Sequence, residues 1–461
     1  MKKKGQGTVF ALLMVLVLYT LGGGWFGHSA PENAYAHGME ASSAGGGTEE
    51  GAGIAVLLDG KRLPNPASLR DDLSELRLPA QDVADALDVA YRWDPESEKV
   101  YWDGTALPED ADPKKIGANV MVAAEPLARA AGLAFSYDAA QHAVFLGTPQ
   151  AKRQFEREER WVRDVLEGKG MAPRIAADGT KEFTLTARLS DWSPLQGVLT
   201  TAWTYNGQTA GPTIRVAEGD RVRIAFVNEL PEPSTIHWHG LPVPNAMDGV
   251  PDVTQKAVEP GREFVYEFTA SHPGTFMYHS HYDDMKQITG GLYGAFIVDP
   301  KTPPSPVPAS GDLRDGMAFD RDYTMVLASM RVNAGMEEEP DYFTINGRSY
   351  PDTPPIELKQ GQTARVRLIN IDTTEVHTMH LHGMDFQVIA RNGNPVKTPE
   401  TMNTVLLGPG ETVDIAFRAV ALGDWMLHCH ILDHTMNGSP QQGHHSGSEM
   451  GGLITLVKVT S

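Results

Sequence analysis

DWMLHCHILDH, Asp424 to His434, holds the only cysteine among 461 residues, set between two histidines with a third five positions beyond it. Successive side chains of a strand point to opposite faces. If this stretch is a strand, His428 and His430 share one face and Cys429 takes the other. A single cysteine cannot form an internal disulfide, so Cys429 is an inert core thiol, a reactive thiol or a metal ligand.

The H-x-H spacing recurs. His237/His239, His279/His281, His380/His382 and His428/His430 make four such pairs among 16 histidines, where random placement gives roughly fewer than one. A lone histidine is usually a satisfied core or surface residue, but four pairs in β-type sequence are not explained that way. Each pair offers two imidazoles to one place, and neutral imidazole suits copper, zinc or nickel. Eight imidazoles exceed the needs of one ion, so a multinuclear site is implied. On its opposite face Cys429 can meet His434, and also His377, three residues before His380. Two histidines with a thiolate describe a blue-copper electron-transfer site, usually completed by a long axial thioether. One strand would then join two kinds of metal site through a few covalent bonds.

The surrounding chain has the texture such strands need. Short β-branched and aromatic runs broken by Gly/Pro turns fill 171–299 (TIRVAEGDRVRIAFVNEL, REFVYEFTA, GTFMYHSH) and again 321–461 (PIELKQGQTARVRLINI, TVDIAFRAV, WMLHCHI, LITLVKV). A proline-rich linker at 300–320 separates them. VAEGDRVRIAFVNEL and LKQGQTARVRLINI read as one element in two copies, so a duplicated Greek-key β-sandwich is expected.

Upstream, MKKKGQGTVFALLMVLVLYT has the layout of a secretory signal, with Ala34-Tyr35-Ala36 as the cleavage pattern. A cleaved signal over 1–36 is expected, with an uncleaved anchor as the alternative, and a flexible Gly/Ser-rich leader over 37–53. Residues 54–148 contain an internal repeat: RLPAQDVADALDVAYRWDPESEKVYW aligns with VMVAAEPLARAAGLAFSYDAAQHAVFL. Val83 matches Leu127, Trp93 matches Tyr137 and Val100 matches Val144, each copy reading as strand, amphipathic helix and hairpin. This unit resembles the copper amine oxidase N-terminal-like module of exported proteins, which implies a stalk or envelope-contact role. A charged connecting helix is expected over 151–170, with Trp161, Val162 and Val165 as a narrow docking stripe. Lys+Arg 39 against Asp+Glu 59 gives a net charge of −20, which repels phosphate backbones and makes a nucleic-acid partner untenable.

HWHG (His237–Gly240), HSH (His279–His281), HTMHLH (His377–His382) and HCHILDH (His428–His434) together resemble the four copper motifs of the multicopper oxidases, in order, over 173–461. The resemblance implies an all-β catalytic region of two cupredoxin domains behind a small α+β module, in the manner of a two-domain laccase. Carried over, type 1 copper takes His377, Cys429 and His434. Type 2 copper takes His237 and His380, and the binuclear type 3 site takes His239, His279, His281, His382, His428 and His430. The axial position of many relatives falls on Ser439, so Met450 in the MGGLITLV tail is the expected axial ligand, with Met436 or no thioether as alternatives. The proton-supplying acid that three-domain relatives often carry next to the last histidine is replaced by Thr435. The other such acid matches Asp248, whose ordinary role is a turn-forming Asp-Gly. His272 is not expected to be a ligand, and His444 and His445 lie in an insertion where solvated loop histidines are the simpler reading.

The implied partners are dioxygen and a small reducing substrate, phenolic or aromatic, with four coppers per active unit. A metallo-oxidase for Cu(I), Fe(II) or Mn(II) is the competing reading. A copper nitrite reductase has no use for four H-x-H pairs, and a sequestering protein needs no cysteine wired to a cluster. Four cluster histidines fall in each sandwich, and two-domain relatives pair the first domain of one chain with the second of its neighbour. A homotrimer is therefore expected, secreted or at the cell surface.

Overall fold

A computed structural model describes residues 54–59, 61–69, 76–138, 143–196, 198–331, 342–437 and 450–461. The expected signal and leader, 1–53, and the insertion with His444 and His445 lie outside the described residues.

The two β-rich regions form two sandwiches of matching topology. In the first, Gly211–Ala217, Tyr293–Asp299, Gly274–His279 and His237–His239 make a four-stranded sheet in that order. It faces a sheet built on Lys181–Leu195, Arg221–Asn228 and Glu263–Thr269. In the second, Ile356–Lys359, Ile454–Thr460, Gly423–Cys429 and His377–Leu381 repeat the order of the first sheet, with Thr404–Leu407 added at the edge. Arg321–Met330, Thr363–Asn370 and Thr412–Arg418 repeat the order of the other. The pairing directions match as well: Gly211–Ala217 runs parallel to Tyr293–Asp299, as Ile356–Lys359 does to Ile454–Thr460. Arg221–Asn228 and Thr363–Asn370, the two strands expected to be copies, occupy equivalent places.

Each sandwich has its own core. Phe226, Trp238, Tyr266, Tyr278 and Phe296 fill the first; Met325, Val366, Leu381, Phe386, Ile415 and Cys429 fill the second. An apolar seam of Met277, Tyr293, Val326 and Ile369 joins them. Beside it lies a buried ionic lattice, in which Arg367 pairs with Asp322 (2.9 Å) and donates to the Thr275 hydroxyl (2.7 Å). Buried charges persist only when paired and hydrogen-bonded, and here the pairing fixes one sandwich against the other.

The repeat unit folds as strand, helix and hairpin twice over: Arg77–Pro79, Ala80–Ala86 and Tyr91–Asp94 with Lys99–Trp102, then Asn119–Ala123, Ala124–Ala131 and Ala134–Asp138 with Ala143–Gly147. Val83 and Leu127, and Val100 and Val144, are buried at equivalent positions in its core. The connecting helix spans Pro149–Leu166, starting earlier and stopping sooner than the charge pattern suggested. Thr148 caps it by accepting from the Ala151 amide, Pro149 sits where its missing N–H costs nothing, and Gly168 leaves the helix at positive φ. Val162 and Val165 are buried as the stripe required. So is Glu158, which meets Arg348 of the second sandwich at 3.0 Å.

Candidate metal centres

The alternation expected of DWMLHCHILDH is present. Cys429 is fully buried in the core of the second sandwich, while His428 is half-buried and His430 exposed on the other side. Cys429 pairs with Met379 and His428 with His380 across the sheet. The neighbouring strand therefore has the same alternation: His377, Met379 and Leu381 point inward, and His380 and His382 outward.

On the inner side, His377, Cys429 and His434 bring their ligand atoms within 4.8 Å of one another. Nδ1 of His377 lies 3.1 Å from Nδ1 of His434, which is 3.6 Å from the Cys429 sulfur. The outward nitrogens are held by carboxylates. Asp372 accepts from Nε2 of His377 at 2.7 Å, and Glu375 lies 3.5 Å from Nε2 of His434. Asp372 is itself fixed by the Ser329 amide at 2.7 Å. Phe343 stacks on the His434 ring, centres 4.1 Å apart. Burial opposes charge here, but hydrogen bonds from His377 and His434 bring the Cys429 thiol down to about 5. Burial likewise disfavours a charged His377, yet Asp372 and Cys429 raise it to about 9. A preformed thiolate with two fixed imidazoles, all buried, is a donor set that suits copper.

On the outer sides stand two histidine quartets. In the first sandwich, His237, His239, His279 and His281 have ring centres 5.3 to 6.3 Å apart. In the second, His380, His382, His428 and His430 are spaced 4.9 to 5.8 Å. The cross-strand pair His237–His279 is the counterpart of His380–His428. Nδ1 donates to a backbone carbonyl in His237 (Asp248, 2.7 Å), His279 (Ser280, 2.7 Å), His380 (Asn403, 2.7 Å) and His428 (Cys429, 2.8 Å). Each bond fixes the tautomer and leaves Nε2 as the ligating atom. Burial disfavours the charged form of four of the cluster rings. It lowers His239, His382 and His428, and takes His279 down to about 3. Among the described residues no ring contact links the two quartets, and His382 and His430 are exposed.

Asp248 is placed by its neighbours. Its carbonyl holds His237, and its carboxylate lies 3.5 Å from the same nitrogen. Gly249 makes that approach: at φ +85° its missing Cβ would sit 1.9 Å from the Ile236 carbonyl oxygen. Met450 is 52 % exposed, at odds with ligation in a site whose three other members are buried. Leu453, fully buried three residues further on, accepts from the Cys429 amide through its carbonyl at 2.9 Å. Sequence reasoning missed Asp372, Glu375 and Phe343. It also passed over Asp284, which stands 3.8 Å from His281. His272, set aside as a ligand, lies 3.1 Å from the Asn394 side chain instead.

Two family models, both described as multicopper oxidase, match residues 186–303 and 324–442. The blue copper oxidase of Nitrosomonas europaea is 34 % identical with a TM-score of 0.54, over 60 % of this chain and 85 % of that one. The multicopper oxidase mgLAC is 31 % identical with a TM-score of 0.53, over 60 % and 86 %. Among curated proteins, Laccase-15 of Oryza sativa subsp. japonica is 32 % identical over 45 % of this chain and 37 % of its own. Multicopper oxidase MmcO of Mycobacterium tuberculosis is 29 % identical over 49 % of each. The chain thus spans less than half the length of these two curated relatives. It belongs to the multicopper oxidase family, and its sandwiches have the cupredoxin fold. The family's cofactor is four coppers, as type 1, type 2 and type 3 ions. Both the thiolate site and the histidine quartets fit it.

Proposed function

We propose that this protein is an exported oxidase that couples one-electron oxidation of a small phenolic or aromatic substrate to four-electron reduction of dioxygen to water. The observation that carries the reading is the single strand Gly423–Cys429, which presents Cys429 to the buried thiolate site and His428 to an outer quartet. Copper bound at these residues supplies one-electron transfer at the thiolate and dioxygen reduction at the quartets. The chain's own part is positional. Asp372 and Glu375 orient His377 and His434, and the four Nδ1–carbonyl bonds orient the cluster rings. Phe343 and the apolar core exclude water from the sulfur. Type 2 and type 3 roles are assigned as the motifs imply, and the Asp248 carboxylate, 3.5 Å from His237, is placed to help deliver protons. Oxygen uptake with a phenolic donor tests the reaction: four electrons consumed per dioxygen, with no peroxide released, is expected. Absence of uptake in the copper-loaded protein refutes it.

A metallo-oxidase reading has one observation in its favour. Glu375 is one-third exposed beside the outward nitrogen of His434, a carboxylate that would attract a reduced metal ion. Rates on Cu(I), Fe(II) and Mn(II) against a panel of phenols separate the two.

Each quartet is half of the implied cluster, and the exposed rings of His382 and His430 suit completion by another copy. We propose a homotrimer in which the first sandwich of one chain meets the second of its neighbour. Light scattering that finds an active, copper-loaded monomer would overturn this. The repeat unit is proposed to be a copper amine oxidase N-terminal-like module in contact with the cell envelope.

A further inference from the structure

Among its described residues the repeat unit contributes none to the thiolate site or to either quartet, yet it has a cavity of its own. The cavity measures about 190 Å³, and its lining includes Tyr91, Trp93, Gln81, Asp82, Lys115 and Asn119. Tyr91 and Trp93 stand two apart on the strand Tyr91–Asp94, so their rings project to one side, and both are half-buried. Asp82 is held as a fixed acceptor by the Asn65 amide and side chain, at 2.7 and 3.1 Å. Among the described residues, the side chains of Gln81, Lys115 and Asn119 have no hydrogen bond or ion pair.

We propose that this cavity is a saccharide-binding site that takes one sugar ring of a larger glycan. A sugar ring has an apolar C–H face and an equatorial rim of hydroxyls. Two aromatic faces match the first, and unpaired amide and ammonium groups match the second. An apolar ligand would strand those polar groups without partners, which costs free energy. The volume is below the roughly 300–1,000 Å³ of sites for drug-sized ligands, and it suits a single ring.

The unit is also fixed to the oxidase body. Leu57 packs on Leu195, Val198 and Tyr342, and the Leu199 amide donates to the Asp59 carbonyl at 3.2 Å. Phe343, next to Tyr342 in the chain, is the ring stacked on His434. A glycan bound in the cavity is therefore held by the same packed body as the thiolate site.

The test is isothermal titration of the full-length, copper-loaded protein with chitotriose and with cellotriose. Saturable binding of one of them is expected. Trp93→Ala should weaken it by about tenfold, as loss of a central aromatic contact does, with oxygen uptake unchanged. Gln81 and Asn119 are on the surface, so Gln81→Ala and Asn119→Ala serve where Trp93→Ala fails to fold, each weakening binding severalfold. No saturable heat from either trisaccharide up to about 10 mM, well beyond useful affinity, overturns the proposal. So does binding that none of the folded variants weakens.

Discussion

Asp372→Asn removes one charge from a site where no metal ligand is touched. Asp372 takes the Nε2–H of His377 on one oxygen and the Ser329 amide and hydroxyl on the other. Asparagine has a single acceptor oxygen, so either His377 or Ser329 is left facing an NH2 group. A buried donor stranded in this way costs about 1–3 kcal/mol. A second effect is on charge. In the metal-free protein His377 is raised to about 9 from 6.5, and Cys429 is lowered to about 5 from 9. The raised histidine stabilises the fold fully below pH 6.5 and loses that contribution as pH rises through 9. The lowered thiol does the opposite, losing its contribution as pH falls through 5. The histidine shift alone is worth about 3 kcal/mol at low pH, and the trio Asp372–His377–Cys429 shares it. Without the carboxylate the histidine falls back toward 6.5, so the variant has less of this contribution at pH 6.5 and less of it to lose as pH rises. Thermal melts of the metal-free protein should show the variant below wild type by the wider margin at pH 6.5, with the gap narrowing at pH 9. Copper titration should show type 1 affinity down by about 10–100-fold, the usual cost of losing a partner that orients a ligating histidine. A variant with wild-type copper affinity and a superimposable pH profile would refute the argument that Asp372 fixes His377.

Cys429→Ser exchanges a thiolate for a hydroxyl that stays protonated at the same place; the intense visible absorption of the copper-loaded protein and its oxygen uptake should both disappear, and a blue, active variant sinks the assignment. Glu158→Ala leaves Arg348 buried without its ion partner, with side-chain exposures of 1 % and 0 % in the pair. Denaturant melts should show about 3–5 kcal/mol of lost stability, and a loss below about 1 kcal/mol would mean that the helix does not rely on this pair. Gly249→Ala puts a methyl where only 1.9 Å is open, so the Asp248 carbonyl must leave His237. Copper counting should then find substoichiometric metal, against full loading if Asp248 does not orient that ring.

The motif H-x-H needs only the two-residue period of a strand to be read, which is why all eight cluster histidines and the inward Cys429 are legible in the sequence alone. The duplication was legible for the same reason, because Arg221–Asn228 and Thr363–Asn370 repeat one apolar pattern. What escaped was everything whose role depends on a turn. Asp372 and Glu375 lie in NIDTTEVH, where acid and threonine are the ordinary vocabulary of a loop; only the fold shows one bonded to His377 and the other beside His434. In the sequence only its thioether recommends Met450 as a ligand. The chain after it bonds Gly451 to the Thr435 carbonyl and Leu453 to the His434 carbonyl, and that path buries Leu453 and leaves Met450 outward. Glu158 escaped because a carboxylate in a charged helix is solvated unless another domain supplies a buried arginine.

Among the described residues only the second sandwich has a thiolate site, and the first shows what stands in its place. Ser280 follows His279 as Cys429 follows His428, and Ser234 precedes His237 by the three residues that separate His377 from His380. Both serines are fully buried, and their hydroxyls lie 3.4 Å apart. Gln287, also buried, accepts from Ser234 at 2.8 Å and from Ser280, while its amide donates to Glu232 and to the Pro233 carbonyl, both at 2.9 Å. The place that holds a histidine–thiolate set in the second sandwich is thus closed by a satisfied hydrogen-bond network in the first. Hydroxyls and an amide satisfied by one another offer neither a thiolate nor a free imidazole, so the first sandwich has its outer quartet without an inner relay. Under the proposed function, electrons then enter at His434, beside the one thiolate–imidazole set among the described residues, and the quartet of the first sandwich receives them through the strand that carries Cys429. On that reading the second sandwich has to approach a first-sandwich quartet closely, whichever chain supplies it, which is what the proposed trimer provides.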